Sequence, residues 1–242
     1  MDHLLFIALS GANRNLAQQQ IHANNLANVN SQGFRADLEL TTTTQVAGRG
    51  YTTRFPVRAE NAGVDMTPAG LQETGRDLDI AVKDNGLIAL QGGGREVYTR
   101  DGQINVGPNG ELTIHGLPLL GDGGPIVLPP HSSVSIANDG TIAIVPQEGG
   151  VGLPADIDRI KLVDIPTNQL SKDNRGRLIA NARAAPRSEA VEIVNKHRES
   201  SNTSAITEMV ASMALNRQFE IQMKMMKSAE GLAQAGDRLI RV

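Results

Sequence analysis

The chain has 242 residues, of which 40% are hydrophobic but only 2% aromatic, and it contains neither Trp nor Cys. Without cysteine there are no disulfides, thiolate metal sites or Cys nucleophiles, and a formal net charge of -3 leaves no basic surplus for a row of phosphates or an anionic bilayer, so nucleic acid is not an expected partner. The length allows more than one compact unit, and so few aromatics imply a thin, aliphatic core.

Residues 2–32 hold no Pro and a single Gly, Gly11, and place apolar side chains at Leu4, Leu5, Ala8, Ala12, Leu16, Ala23, Leu26, Ala27 and Val29. That spacing predicts a helix roughly 45 Å long, with Asp2 as N-cap, Gly33 as a left-handed stop and Phe34 closing it hydrophobically. The apolar cluster from Leu4 to Leu9 is too short to span a bilayer and follows an acidic residue, Asp2, where a signal would carry basic ones. Neither a cleaved signal nor membrane insertion is expected, so action outside the cytoplasm requires export with the N-terminus intact.

Residues 34–76 follow neither helical nor strand periodicity and are expected to be an extended connector, with 167–203 as its return. Between them, 77–166 breaks into short alternating runs separated by Gly-containing turns, the pattern of an antiparallel β domain. Leu78–Val82 is expected to meet Leu87–Leu90 across Asp84-Asn85-Gly86, and Val97–Arg100 to meet Gln103–Val106 across Asp101-Gly102. A turn is expected at Asn109-Gly110, and a hairpin joining Val134–Ala137 to Thr141–Val145 across Asp139-Gly140. Gly92-Gly93-Gly94 precedes no Lys-Ser/Thr and opens no helix, so a hairpin turn fits it better than a phosphate loop.

From Ser204 to Val242 a second helix is predicted, capped by Ser204, with Glu208 favourable to the dipole of its first turn. One stripe runs through Ile206, Met209, Val210 and Met213 and continues at Phe219, Met223 and Met226; Ile221, Met225 and Leu232 lie on another face. The two terminal helices can pair, parallel or antiparallel, but two apolar faces cannot be covered by one partner helix, and exposed stripes of that size mark interaction surfaces. Charges nearly cancel on each helix, with Arg14 against Asp2 at the N-terminal end, and Arg217, Lys224, Lys227, Arg238 and Arg241 against Glu208, Glu220, Glu230 and Asp237 at the C-terminal end. Near-neutral helices can stack on copies of themselves.

Residues that tempt a catalytic reading are weaker. His3, His22, His115, His131 and His197 lack the spacing that puts two ligands on one helix face, and the pairs Asp77/Asp79 and Asp156/Asp158 fall near predicted turns and strand ends. Neither a metal, a cofactor nor catalysis is expected.

Ala23-Asn24-Asn25-Leu26-Ala27-Asn28-Val29-Asn30-Ser31-Gln32-Gly33-Phe34-Arg35 resembles the N-terminal signature of the flagellar rod and hook axial proteins. Glu199-Ser200-Ser201-Asn202-Thr203, followed by Glu208-Met209-Val210 and Arg217-Gln218-Phe219-Glu220, is similar to their C-terminal motif. Gly75-Arg76-Asp77-Leu78-Asp79-Ile80-Ala81-Val82, Tyr98-Thr99-Arg100-Asp101-Gly102, Leu119-Leu120-Gly121 and Asp139-Gly140-Thr141 keep the same order in the centre. The length, the opening Met1-Asp2-His3-Leu4-Leu5 and Gly123-Gly124-Pro125-Ile126 look more like a proximal-rod subunit than a distal-rod or hook protein. The chain departs from the pattern at Leu87-Ile88, where relatives carry an aromatic, and at Ala205, where Pro is common.

The resemblance implies a structural subunit of the basal-body rod, exported by the flagellar type III apparatus, assembling in the periplasm with other rod proteins and copies of itself. The alternatives are a distal-rod or hook role, or a secreted wall-active enzyme. The expected fold is α+β: a helix over 1–33 and a helix over 204–242 packed as a coiled-coil-like bundle, with connectors over 34–76 and 167–203 and the β domain over 77–166. Expected interface residues are Leu4, Leu5, Ala8, Leu16, Asn24, Asn25, Leu26, Asn28 and Phe34, with Ile206, Met209, Val210, Met213, Phe219, Met223, Met226 and Leu232.

Overall fold

A computed structural model describes residues 2–43, 57–147, 153–173, 175–182 and 184–240. The chain divides into two compact units: residues 1–29, 37–62 and 203–242 form one, and 30–36 with 63–202 form the other.

The first unit is helical. Helix α1 spans Asp2–Ala27, strand β1 (Asp37–Thr43) pairs with β2 (Val57–Val64), and helix α2 spans Ala205–Ile240. The Glu208 N–H donates to the Ser204 carbonyl at 3.0 Å, so α2 starts where its cap was expected. The α1 terminus is a correction. The helix ends at Ala27, where the Asn28 N–H bonds the carbonyls of Asn24 and Asn25, well before Gly33. Gly33 is left-handed, with φ 65°, for a different reason: a Cβ there would lie 2.2 Å from the Asp101 nitrogen. It is a point of close approach within the second unit.

The second unit is built from β3 (Leu71–Glu73), β4 (Ile80–Val82), β5 (Gly86–Gln91), β6 (Glu96–Thr99), β7 (Asn105–Val106), β8 (Leu112–Ile114) and β9 (Leu117–Pro118). They are followed by β10 (His131–Ile136), β11 (Thr141–Pro146), β12 (Ala155–Arg159), β13 (Leu162–Asp164), β14 (Leu170–Lys172), β15 (Leu178–Ala180), β16 (Ile193–Asn195) and β17 (His197–Glu199). The strand pairs of this unit are antiparallel, and strands also occupy parts of the stretches expected to be connectors.

The central sheet has the order β13-β5-β6-β15-β14 and is covered on both faces. Along β5, Ile88 and Leu90 join one aliphatic cluster with Val97, Ile142 and Leu162, while Leu87 and Ala89 join a second with Tyr98, Val163 and Leu170. Alternate side chains of one strand thus feed two cores. The run Leu87-Ile88-Ala89-Leu90 is apolar throughout because neither face meets water. Two such layers allow an aliphatic interior with Tyr98 as its large aromatic member.

The expected hairpins fare unevenly. Asp139-Gly140 joins β10 to β11, Asn109-Gly110 lies between β7 and β8, and Gly92-Gly93-Gly94 turns β5 into β6, with the Gly92 N–H bonded to the Arg95 carbonyl at 2.9 Å. The other two are corrected. Strand β4 pairs with β16, Ile193 opposite Val82, and β6 pairs with β5 and β15 in place of the segment after Asp101-Gly102. A Cβ at Gly102 would sit 1.7 Å from the Ile80 carbonyl oxygen, so this glycine admits another strand's backbone and does not serve a two-residue hairpin.

Candidate assembly interface

In the helical unit α1 and α2 run antiparallel. Gln19 Nε2 donates to Asn216 Oδ1 at 2.8 Å, His22 Nδ1 and Glu208 Oε2 are 2.5 Å apart, and Gly11 lies against the Gln222 amide. Partners fall in number along α2 as they rise along α1. The buried and half-buried positions include Leu5, Ala8, Ala12, Asn15, Gln19, His22 and Leu26 on α1, and Glu208, Ser212, Leu215, Phe219, Gln222, Met226 and Ala229 on α2. Both series alternate steps of three and four residues. The seam between the helices is therefore made largely of small and polar side chains.

Leu5, Leu26, Leu215, Phe219 and Met226 apart, most large apolar side chains lie elsewhere. Ile206 is 76% exposed, Leu232 68%, Val210 and Met213 61%, and Leu16, Met209 and Met223 nearly half. Of the expected interface residues, Leu5, Ala8, Leu26, Phe219 and Met226 are buried or half-buried, whereas these seven face outward. The Leu4 side chain, and Arg241 and Val242, which the sequence reading includes in the second helix, lie outside the described residues. Ile221 and Met225, read as part of the second apolar face, are exposed, as are Phe6, Ile7 and Leu9, which the predicted stripe of the first helix omitted, Phe6 at 74%. A shallow apolar depression on α2 is lined by Ile221, Lys224, Met225, Ser228, Ala229 and Leu232.

The asparagines divide by role. Asn25 is buried and grips β1: its Nδ2 donates to the Asp37 carbonyl at 3.3 Å and its Oδ1 accepts the Asp37 N–H at 3.0 Å. Asn28 Nδ2 bonds the Asn24 carbonyl at 2.9 Å, and Asn24 itself is exposed. Phe34 belongs to the β unit, half-buried, with Lys172 Nζ 4.2 Å above its ring.

The β unit holds a feature that periodicity could not find. Glu199 is 1% exposed and takes Arg35 Nη2 on Oε1 at 2.6 Å and Arg100 Nε on Oε2 at 2.7 Å. Arg100 also donates to the carbonyls of Val82, Asp84 and Gly86, Arg35 to that of Thr67, and the Ala69 N–H reaches Glu199 Oε1. Beside this clasp, Asn202 Oδ1 accepts the Ala36 N–H and Nδ2 donates to the Asp65 carbonyl. Burial, and after it the neighbouring Arg100, lowers the Arg35 pKa, with Glu199 opposing both. Two guanidiniums and a carboxylate survive in the interior because nearly every donor and acceptor is used. The signal was present in the motifs: Arg35, Arg100, Glu199 and Asn202 each stand in a stretch read as a signature, and each ties the incoming and outgoing chain together.

Tyr98 makes the second polar cluster. Its hydroxyl donates to Glu96 Oε2 and accepts the Ala185 N–H, both at 2.9 Å, while burial pushes its pKa up to about 12. Lys161 Nζ holds the other Glu96 oxygen at 2.5 Å. Among the described residues no group of three or more His, Cys, Asp or Glu is placed to hold a metal ion, and no helix is long and apolar enough to cross a membrane.

The family described as flagella basal body rod protein matches residues 5–35, and the C-terminal family of the flagellar basal body rod FlgEFG proteins matches 195–239. These spans contain most of α1 with Arg35, and Glu199 with most of α2. A flagellar basal-body rod protein FlgF of Salmonella typhimurium is 38% identical over 95% of each chain, and that of Escherichia coli 36% identical over 99% of each. A FlgF protein of Caulobacter vibrioides is 31% identical over 97% of this chain and 96% of its own, whereas a FlgG rod protein of Buchnera aphidicola is 25% identical. Full-length likeness at that level, covering the helices, the clasp and the strands between, places the chain in the FlgF family of flagellar basal-body rod proteins.

Proposed function

We propose that the chain is a non-enzymatic structural subunit of the flagellar basal-body rod, at its proximal part, where it polymerises with other rod proteins and with copies of itself into a torque-transmitting shaft. The observation that carries this reading is the distribution of apolar side chains in the helical unit. The helices place mainly small and polar residues on each other and leave Ile206, Val210, Met213, Ile221 and Leu232 facing out. Burying about 100 Å² of apolar surface at one contact contributes on the order of 2 to 3 kcal/mol before ordering costs. Several such contacts per subunit suffice to hold a shaft.

Coiled-coil-like packing of the terminal helices α1 and α2 forms the inner layer in this proposal, and the strand-bearing centre the outer one. Leu5, Ala8, Asn25, Leu26, Phe219 and Met226 build the subunit, and Leu16, Ile206, Met209, Val210, Met213, Met223 and Leu232 join it to neighbours. The chain reaches the periplasm through the flagellar type III export apparatus. Stiffness is supplied by burial and no bond is made or broken.

The test is Val210→Glu with Met213→Glu in cells lacking the native subunit. Loss of motility, with normal export and no incorporation into purified basal bodies, is expected. Normal incorporation and swimming would overturn the assembly role of this face.

A further inference from the structure

The apolar faces are chemically undemanding: any helix with a similar stripe could cover them. The seam is different. Gln19 is bonded to Asn216, His22 to Glu208, Gln222 lies over Gly11, and Asn15 is 2% exposed between them. Among the described residues, Asn15 Nδ2 and Gln222 Oε1 are buried without a hydrogen-bond partner, so the seam is not arranged for greatest stability.

We infer that this polar seam determines pairing specificity: it fixes the antiparallel register of α1 on α2 of the same chain and rejects other helices presented during assembly. Polar residues at seam positions select register and partner at a cost in stability. A slip of one seven-residue repeat separates both bonded pairs and leaves the Glu208 carboxylate, 9% exposed, without its imidazole. Packing α2 on the α2 of another copy offers no histidine at all, since none lies in residues 205–240. Gly11 leaves room for the Gln222 amide, since a Cβ there would lie 2.5 Å from Gln222 Nε2 and the amide would have to move. Unspecific apolar contacts then act only between subunits, on helix pairs that are already in register; that last step rests on the proposed assembly, whereas the register claim stands without it.

The chain has no cysteine, so Gln20→Cys and Ala235→Cys, both at exposed positions and well offset from each other along the helix axes, give two clean sites for spin labels. Pulsed electron paramagnetic resonance on the dilute monomer should show one narrow distance. With His22→Leu, Glu208→Leu, Gln19→Leu and Asn216→Leu, helical circular dichroism should be kept but distances displaced by roughly 10 Å, one repeat of seven residues at helical rise, should appear. Exchanging the pair, His22→Glu with Glu208→His in an otherwise unaltered seam, should preserve the single distance. One narrow distance in the four-leucine variant, or a broad distribution in the parent protein, would overturn the inference. A parent with one distance that fails to enter basal bodies would instead count against the assembly proposal alone.

Discussion

The helical unit and the β unit solve burial in opposite ways. In the β unit aliphatic side chains from both faces of one sheet go inside, and even charged Arg35, Arg100 and Glu199 are enclosed with most of their hydrogen bonds satisfied by each other and by backbone. In the helical unit, buried positions include Ala8, Ala12, Asn15, Asn25 and Glu208, while Phe6, Ile206, Val210 and Leu232 are exposed. A part finished by its own chain hides its largest apolar groups. A part finished by neighbours displays them.

The contrast breaks most visibly at the clasp. Glu199→Ala leaves two buried guanidiniums without a counter-charge and should cost the β unit about 3 to 5 kcal/mol, read from denaturant unfolding followed by the near-ultraviolet signal of buried Tyr98. Truncation in the shared sheet comes next: Ile88→Ala should cost about 2 to 5 kcal/mol in the same measurement, since Ile88 is fully buried. An equally drastic change on the helices should behave otherwise. Ile206→Ser with Val210→Ser should alter monomer unfolding by about 0.5 kcal/mol or less, yet reduce self-association in sedimentation, because both side chains are exposed in the single chain. A loss of monomer stability comparable to that of Ile88→Ala would erase the distinction between the units.

The smallest effect is electrostatic. His115 Nε2 lies 2.8 Å from Asp101 Oδ2, and Arg198 Nη2 lies 3.1 Å from Oδ1. The hydrogen bond to Asp101 raises the His115 pKa against the effect of burial; Asp101 itself is lowered by His115 and Arg198 although burial opposes them. A raised imidazole stabilises fully below its unfolded pKa, ordinarily 6.5, and loses that contribution as pH rises through the folded value. A lowered carboxylate stabilises above its unfolded value, ordinarily 3.8, and loses the contribution as pH falls through the folded one. The tie should therefore be strongest and constant between those limits, and His115→Asn should remove the fall in stability that the parent shows as pH rises above 6.5.

How far the sequence could be read depended on the range of the interactions. Spacing located α1 and α2 because helical bonds are local, and Asp139-Gly140 gave its hairpin because the turn and both strands are contiguous. It failed for β4, whose partner β16 lies more than a hundred residues away, and for Asp101-Gly102, where the glycine serves a backbone contact with Ile80. Of the candidate interface, which residues were apolar and helical was legible. Which of them face a partner helix in the same chain was not, since Phe219 and Met226 share a stripe with Met223 in one dimension and part from it only around the seam.

The residues alone determined the two helices, the β character between them, the aliphatic interior and the family signature, because composition, turn chemistry and periodicity act over a few positions. Only the tertiary structure decided that small and polar residues line the helix seam, that the signature arginines close on one buried glutamate, and that a single sheet feeds two cores. Those features depend on groups far apart in sequence meeting in space, where the cost of an unpaired buried charge or an uncovered apolar face selects one arrangement.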